Sequence, residues 1–368
     1  MPILSQQVKH YPLGGNGVYI FEAPLAKLDP MAQQIERAAR ERNLTTITKI
    51  VQFDRKMHAW VTFTIGDQEF YYINGALLLR DLENTDYIGR NLNHEAALLI
   101  ADKHKAKVHL ETHGFTVPKG LFFRRRKLKE AYEAFSGFSG PICVKPNNGL
   151  NGDCVSTGLT DEVWYKRAVD KVAEKYPTIV VEESVEGEHF RFLYVAPEVV
   201  GIRHTRPANV VGDGVSTIRE LVNAKNTIRE HHTLPPLPPL SIDTDMREFL
   251  ERHGRSLTDI PLPDERVFLR GISHASGGAD SDLVWEEVHS SYREIVVKAC
   301  QATQGLHYSG VDIVIKDHTV PAAAGNYWLL ELNASPAIDT WDRKFVDVAG
   351  KILNMLIQQY GSTDAECS

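Results

Sequence analysis

A mixed α/β chain of the α+β kind, with a mostly antiparallel binding sheet, is what the sequence predicts. Three observations predict it. Helix-like and strand-like patterns alternate along the chain. From Pro141 onward, short apolar runs are separated by glycine-bearing turns. At 368 residues and 43% hydrophobic composition, the chain can bury a large core and build two or three lobes. No internal repeat is apparent.

In chain order, Asp29-Pro30 opens a helical stretch over 31–42. Two extended runs, 60–65 and 70–73, flank Gly66-Asp67-Gln68 and read as a hairpin. These belong to a small leading α/β lobe without a catalytic cluster. A long helix is expected over 93–113, stopped by Gly114 and followed by Pro118. The basic run Arg124-Arg125-Arg126-Lys127 reads first as a solvated face, and otherwise as a device that steers an anionic ligand. A helix over 130–135 follows. Strands are then expected at 142–144, 155–157, 179–181, 190–195 and 199–204, with helices at 161–175 and 216–224. The proline-rich segment 234–239 reads as an extended connector, with peptide docking a minor alternative. Beyond it, another helix is followed by a strand near 267–269 and a helix over 290–303. Strands at 311–315 and 327–332 come next, and a terminal helix begins near Lys344.

Bulk properties narrow the function. A net charge of −7 argues against a general nucleic-acid binder. Cys143, Cys154, Cys300 and Cys367 form no CxxC pair and read as reduced, mostly buried thiols. The start carries no signal-peptide pattern, and no apolar run approaches a membrane span. The expectation is a soluble, cytoplasmic protein with no membrane partner.

Four clusters carry chemistry. Asp312 sits in one apolar strand; Glu331 and Asn333 sit at the end of another. Positions i and i+2 of a strand share a face, so Glu331 and Asn333 project together while Leu332 enters the core. If the Asp312 strand pairs beside them, three oxygen ligands converge in a set suited to Mg²⁺. The second cluster is Lys145 closing an apolar strand before Pro146-Asn147-Asn148-Gly149-Leu150-Asn151-Gly152. Glycines let backbone N–H groups turn to an anion, and the ammonium adds a point charge. It is neither a Walker loop nor GxGxxG. The third is the apolar strand that runs into Glu182, Glu183, Val185, Gly187, Glu188 and His189, where a base and a ribose could be held, although alone the stretch reads first as an acidic turn. The fourth comprises Arg203 and Arg206 before Asn209-Val210-Val211-Gly212-Asp213-Gly214, and Arg270 before Ser276-Gly277-Gly278. Arginine forks suit phosphate or carboxylate oxygens, although each alone is more often a surface ion pair.

These clusters, in this order, resemble the ATP-grasp superfamily, and within it the ligase domain of cyanophycin synthetases and fused glutathione synthetases. The resemblance runs from about Asn91 to Asp339, and its most specific piece is Gly212-Asp213-Gly214 with the following Ser216-Thr217-Ile218-Arg219-Glu220-Leu221. It implies an ATP-grasp fold with two lobes clasping ATP, preceded by the small leading lobe. On that reading residues 1–90 form the leading lobe and 91–368 the ATP-grasp domain. A lid spans about 115–190, and a metal- and substrate-binding part spans 191–368. The resemblance implies that Lys103 and Lys145 contact the triphosphate, and that Gly149 and Gly152 lie in the loop closing over it. It puts Glu182, Glu183 and Val185 at adenine. It makes Asp312, Glu331 and Asn333 the ligands of Mg²⁺, or of Mn²⁺ in its place. Arg270 falls near the transferred phosphate, and Arg203, Arg206 and Asn209 fall on the acceptor side. One departure stands out: the acid that usually holds the ribose falls on His189, with Glu188 beside it.

The implied activity is an ATP-dependent amino-acid ligase that forms a peptide or γ-glutamyl-type bond through an acyl phosphate and releases ADP. Small amino acids or short peptides would be its partners, and a homodimer is common for such folds. Rival readings are addition of an amino acid to a peptide or protein acceptor, a kinase that never ligates, and a non-catalytic ATP-binding module.

Overall fold

The computed structural model describes residues 19–22, 29–53, 56–73, 76–80, 89–231, 237–337 and 346–361. Part of the proline-rich connector, the expected start of the terminal helix and Cys367 lie outside them.

The first layer is a six-stranded antiparallel meander: β1 (Tyr19–Glu22), β2 (Thr46–Phe53), β3 (Lys56–Ile65), β4 (Gln68–Ile73), β5 (Ala76–Leu79) and β6 (Arg90–Asn91). Alternation along β3 sends Val61, Phe63 and Ile65 to one face. The helix Pro30–Glu41 covers that face with Ala32, Ile35, Ala38 and Ala39, and the Asp29 side chain caps it on Ala32 N–H. The terminal helix Val348–Tyr360 returns to the same core through Ile352, Leu353 and Leu356. Early and late segments of the described chain therefore build this layer together.

The second sheet has the order β7-β10-β8-β9, from β7 (Gly120–Arg124), β8 (Ile142–Pro146), β9 (Ser156–Leu159) and β10 (Thr178–Glu183). The helix Glu162–Lys175, capped by Asp161, packs Tyr165, Val169 and Val172 against Ile142, Val144, Ile179 and Val181. Between the first and second sheets one helix was expected over 93–113. Two are present, His94–Ile100 and Lys103–Thr112. The Asp102 carboxylate caps the second on Lys105 N–H, and the Asn148 amide donates to the Ala101 carbonyl (2.8 Å), so the break is held from both sides. The basic run forms a short turn with Arg124, Arg125 and Arg126 exposed, and the helix after it is Leu128–Glu133.

The central sheet has the order β15-β12-β11-β16-β17. Its strands are β11 (Glu188–Val195), β12 (Glu198–Arg206), β15 (Asp280–Leu283), β16 (Tyr308–Ile315) and β17 (Tyr327–Asn333). One face buries Phe190, Phe192, Ile202, Val311, Ile313 and Leu332 under Tyr292, Val296 and Ala299 of the helix Ser290–Ala302. A ribbon of β13 (Asn209–Val211) and β14 (Arg266–Phe268) carries the helices Ile218–Glu230 and Thr244–Arg252. Every strand pairing in the three sheets and the ribbon is antiparallel. Strands β1, β2, β5, β6, β7, β13 and β15 lie outside the sequence expectation; β15, Asp280-Ser281-Asp282-Leu283, is a polar edge strand whose composition reads as a turn. No helix among the described residues is long and apolar enough to cross a membrane.

Candidate active site

The exposed face of the central sheet is set by cross-strand register. Asp312 lies opposite Glu331, Gly310 opposite Asn333, and Arg191 opposite both Asp312 and Arg203. Directly opposed residues share a face. Asp312, Glu331, Asn333, Arg191 and Arg203 therefore project together, while Leu332 is buried in the core below.

The acids are held by cations of the chain itself. Arg191 Nη1 donates to Asp312 Oδ1 and Oδ2 (2.9 and 2.7 Å). Lys103 Nζ reaches Glu331 Oε1 at 3.0 Å and the Gly149 carbonyl at 2.9 Å. Burial would push the Glu331 carboxyl up, but Lys103, with Lys145 and Arg191 behind it, holds it below the usual carboxylate range. Asn333 Nδ2 donates to Asp312 Oδ2 (3.1 Å) and Gly310 O (3.0 Å), which leaves Oδ1 to face a cation. Among the described residues no group of three or more His, Cys, Asp or Glu side chains could hold a metal. A cation here would draw on two carboxylates, one amide oxygen and oxygens of a bound ligand. That hard-oxygen set fits Mg²⁺.

The glycine loop after β8 is fastened to the helix break. Asn147, 1% exposed, accepts His104 N–H through Oδ1 (2.9 Å), and its carbonyl accepts Lys103 N–H (3.2 Å). This anchor aims Lys103 into the site. Gly149 sits so close that a Cβ would lie 2.2 Å from Pro146 Cγ. Gly152 has φ +71, and a Cβ there would meet Ile272 Cδ1 at 2.4 Å.

Below the loop, Glu182 joins two lysines. Lys145 Nζ lies 2.6 Å from Glu182 Oε1, and Lys107 bonds its Oε2. All three are buried. Burial opposes the Glu182 charge, yet the two ammoniums outweigh it and hold the carboxyl low. Burial draws Lys107 down to about 8. The crossing from β10 to β11 passes through Val185; at its start Glu183 N–H donates to Lys119 O (2.9 Å) and Glu183 Oε2 accepts Lys119 N–H (3.1 Å).

The other predicted residues divide. His189 lies on the Arg191 face, with its pKa lowered by burial. Glu188 turns to the other side, where it meets His204 (3.5 Å) and His318 (3.2 Å). Arg206 alternates with Arg203, bonds Asp282, and contacts His204 Nδ1 (3.3 Å), so it does not converge with Arg203. Arg270 is bound to Asp243 Oδ2 (2.5 Å) and Ser241 O (3.2 Å), and among the described residues no hydrogen bond joins it to the Asp312 face. Asn209 is fully buried and bonded to Asp280, Pro207 O and Arg266, which makes it a brace of the ribbon. Sequence reasoning gave no role to Lys107, Arg191 or His274. Lys107 lies one helical turn after Lys103, and Arg191 two residues after His189. Those spacings were the available signals.

No family model matches the chain. The bifunctional glutathione biosynthesis protein of Clostridium perfringens is 33% identical over 289 residues, 76% of this chain and 36% of that protein. Its counterpart from Listeria innocua is 32% identical over 252 residues, 67% of this chain and 32% of that protein. The chain thus spans about a third of the length of these relatives. The crystal structure of a bifunctional glutathione synthetase from Pasteurella multocida superimposes with a TM-score of 0.57 at 23% identity, covering 91% of this chain and 45% of that one. The chain is thus similar in sequence to about a third of these glutathione biosynthesis proteins, and it shares the fold of the bifunctional glutathione synthetase.

Proposed function

We propose that the chain is an ATP-dependent ligase that activates a carboxylate as an acyl phosphate and couples it to the amine of an amino acid or short peptide, releasing ADP and phosphate. The observation that carries this reading is the opposed pair Asp312 and Glu331, with Asn333 beside them and Lys103 tying Glu331 to the glycine loop. Mg²⁺ held by these oxygens would neutralise phosphate charge during transfer. The chain's own residues do the rest. Lys103 and Lys145 each spend an ammonium on a carboxylate, and a triphosphate offers both a stronger anionic partner. The loop over 147–152 would exclude water and protect the acyl phosphate from hydrolysis. Arg191 and Arg203, opposed across β11 and β12, supply the positive face against which the reacting carboxylate would lie. A γ-glutamyl-type product is the first candidate, because the relatives are glutathione biosynthesis proteins.

Calorimetry with a non-hydrolysable ATP analogue tests the site. Binding should require Mg²⁺ in the wild type and lose that requirement in Asp312→Asn/Glu331→Gln. Mg²⁺-dependent binding that survives the double substitution contradicts the assignment.

A further inference from the structure

Between β14 and β15 the chain passes over the glycine loop, and one side chain there remains without a role. His274 precedes the short turn Ala275–Gly277 and caps it: its Nδ1 accepts Ser276 N–H (3.2 Å) and lies 2.8 Å from Ser276 Oγ. Gly278, at φ +85, closes the turn as its N–H donates to Ala275 O (3.0 Å), and Ala279 N–H returns to His274 O (3.2 Å). The ring is thereby fixed at one nitrogen. A neutral imidazole that accepts at Nδ1 carries its proton on Nε2. Among the described residues that Nε2–H has no acceptor.

The surroundings of the ring are those of the site. A Cβ on Gly152 of the glycine loop would lie 3.7 Å from His274 Cβ and 2.4 Å from Ile272 Cδ1, so the loop adjoins the base of the His274 side chain. Burial lowers the pKa of the ring, Arg191 lowers it further, and the charges of Asp312 and Glu331 act the other way. His274 thus lies beside the loop that would cover the triphosphate and within the field of the acids that would hold its metal. It presents one unspent donor.

We propose that His274 donates Nε2–H to an oxygen of the terminal phosphoryl group of bound ATP, and so is a catalytic residue of the transfer. This rests on the ATP reading above. It places a neutral donor beside the phosphoryl group, in addition to Arg270, whose Nη2 is bound to Asp243 and Ser241 O.

Two substitutions separate contact from capping. The asparagine side-chain amide reaches the place of imidazole Nδ1, and the glutamine amide reaches that of Nε2. His274→Asn keeps the cap and loses the donor; His274→Gln keeps the donor and loses the cap. Calorimetry with Mg-ADP and with Mg-AMP-PNP reads the difference, since only the second carries a terminal phosphoryl group. The proposal requires that His274→Asn bind Mg-AMP-PNP roughly tenfold to a hundredfold more weakly than wild type, the range for a hydrogen bond to a charged group, with Mg-ADP affinity unchanged. His274→Gln should retain most of the AMP-PNP affinity. Equal losses for both nucleotides, or a larger loss in His274→Gln than in His274→Asn, assign the ring to the turn and overturn the proposal. A wild-type protein that binds neither nucleotide overturns the ATP reading itself, and the proposal with it.

Discussion

The buried trio Lys107–Glu182–Lys145 makes a quantitative demand. Glu182 is 2% exposed, Lys107 7% and Lys145 8%, so solvent screening is slight and the small values of surface ion pairs do not apply. Glu182→Gln keeps the shape and removes the charge, leaving two buried ammoniums without an anion. Removing one partner of a buried pair costs about 3–5 kcal/mol. At about 1.4 kcal/mol per decade, that is two to three and a half decades in the unfolding equilibrium. Lys107→Met should cost less, because Glu182 keeps Lys145 at 2.6 Å. The double substitution should cost less than the sum of the singles by about 0.5–3 kcal/mol. Urea unfolding followed by circular dichroism gives all three values. A Glu182→Gln loss under about 1 kcal/mol, or strict additivity, would refute the claim that this carboxylate holds the two lysines.

Three further outcomes follow from single observations. Gly152→Ala places a Cβ at positive φ and against Ile272 Cδ1, so the loop must shift. Strain of about 1–2 kcal/mol should weaken nucleotide binding roughly tenfold by calorimetry, with little change in melting temperature. Asp213 accepts Ser216 N–H (2.7 Å), Ser216 Oγ–H (2.7 Å) and Val215 N–H (2.9 Å), which lower its carboxyl to about 2. Its folded value lies below the unfolded value of about 3.9, so its stabilisation is present above about pH 4 and lost as pH falls through about 2. The gap in unfolding midpoint between wild type and Asp213→Asn should close over that interval, and a gap constant from pH 6 to 2 contradicts it. Burial pushes the Cys143 thiol up to about 12 and Cys154 to about 11, and Cys300 upward as well. Peptide mapping after iodoacetamide at pH 8 should find these three unmodified in the native protein and modified in urea.

Period-2 logic was enough to place Glu331 and Asn333 on one face and Leu332 in the core, because a strand offers only two sides. The pairing that brings Asp312 opposite Glu331 joins residues 19 positions apart across an irregular connection, and only the register fixes it. The helix break at Ala101–Asp102 escaped the periodicity, because the apolar positions on either side fit one continuous helix. The signals were a capping aspartate and an asparagine 46 residues later that takes the freed carbonyl. Arg203 and Arg206 look equivalent as letters, but three residues along a strand is an odd step, and they face opposite sides. The Gly212-Asp213-Gly214 stretch, most specific as a motif, spends its side chains on structure. Asp213 ties the turn and Thr217 with Glu220 forms a capping box. Gly212 abuts Leu262 O, 2.2 Å from where its Cβ would lie.

The most direct test of the account is ADP and phosphate release with Mg-ATP and a panel of amino acids, offered singly and in pairs, with mass spectrometry of the products. The account predicts release that depends on a carboxylate and an amine together, and a product whose mass is their sum less one water. ATP turnover yielding a stable phosphorylated product and no amide would contradict it.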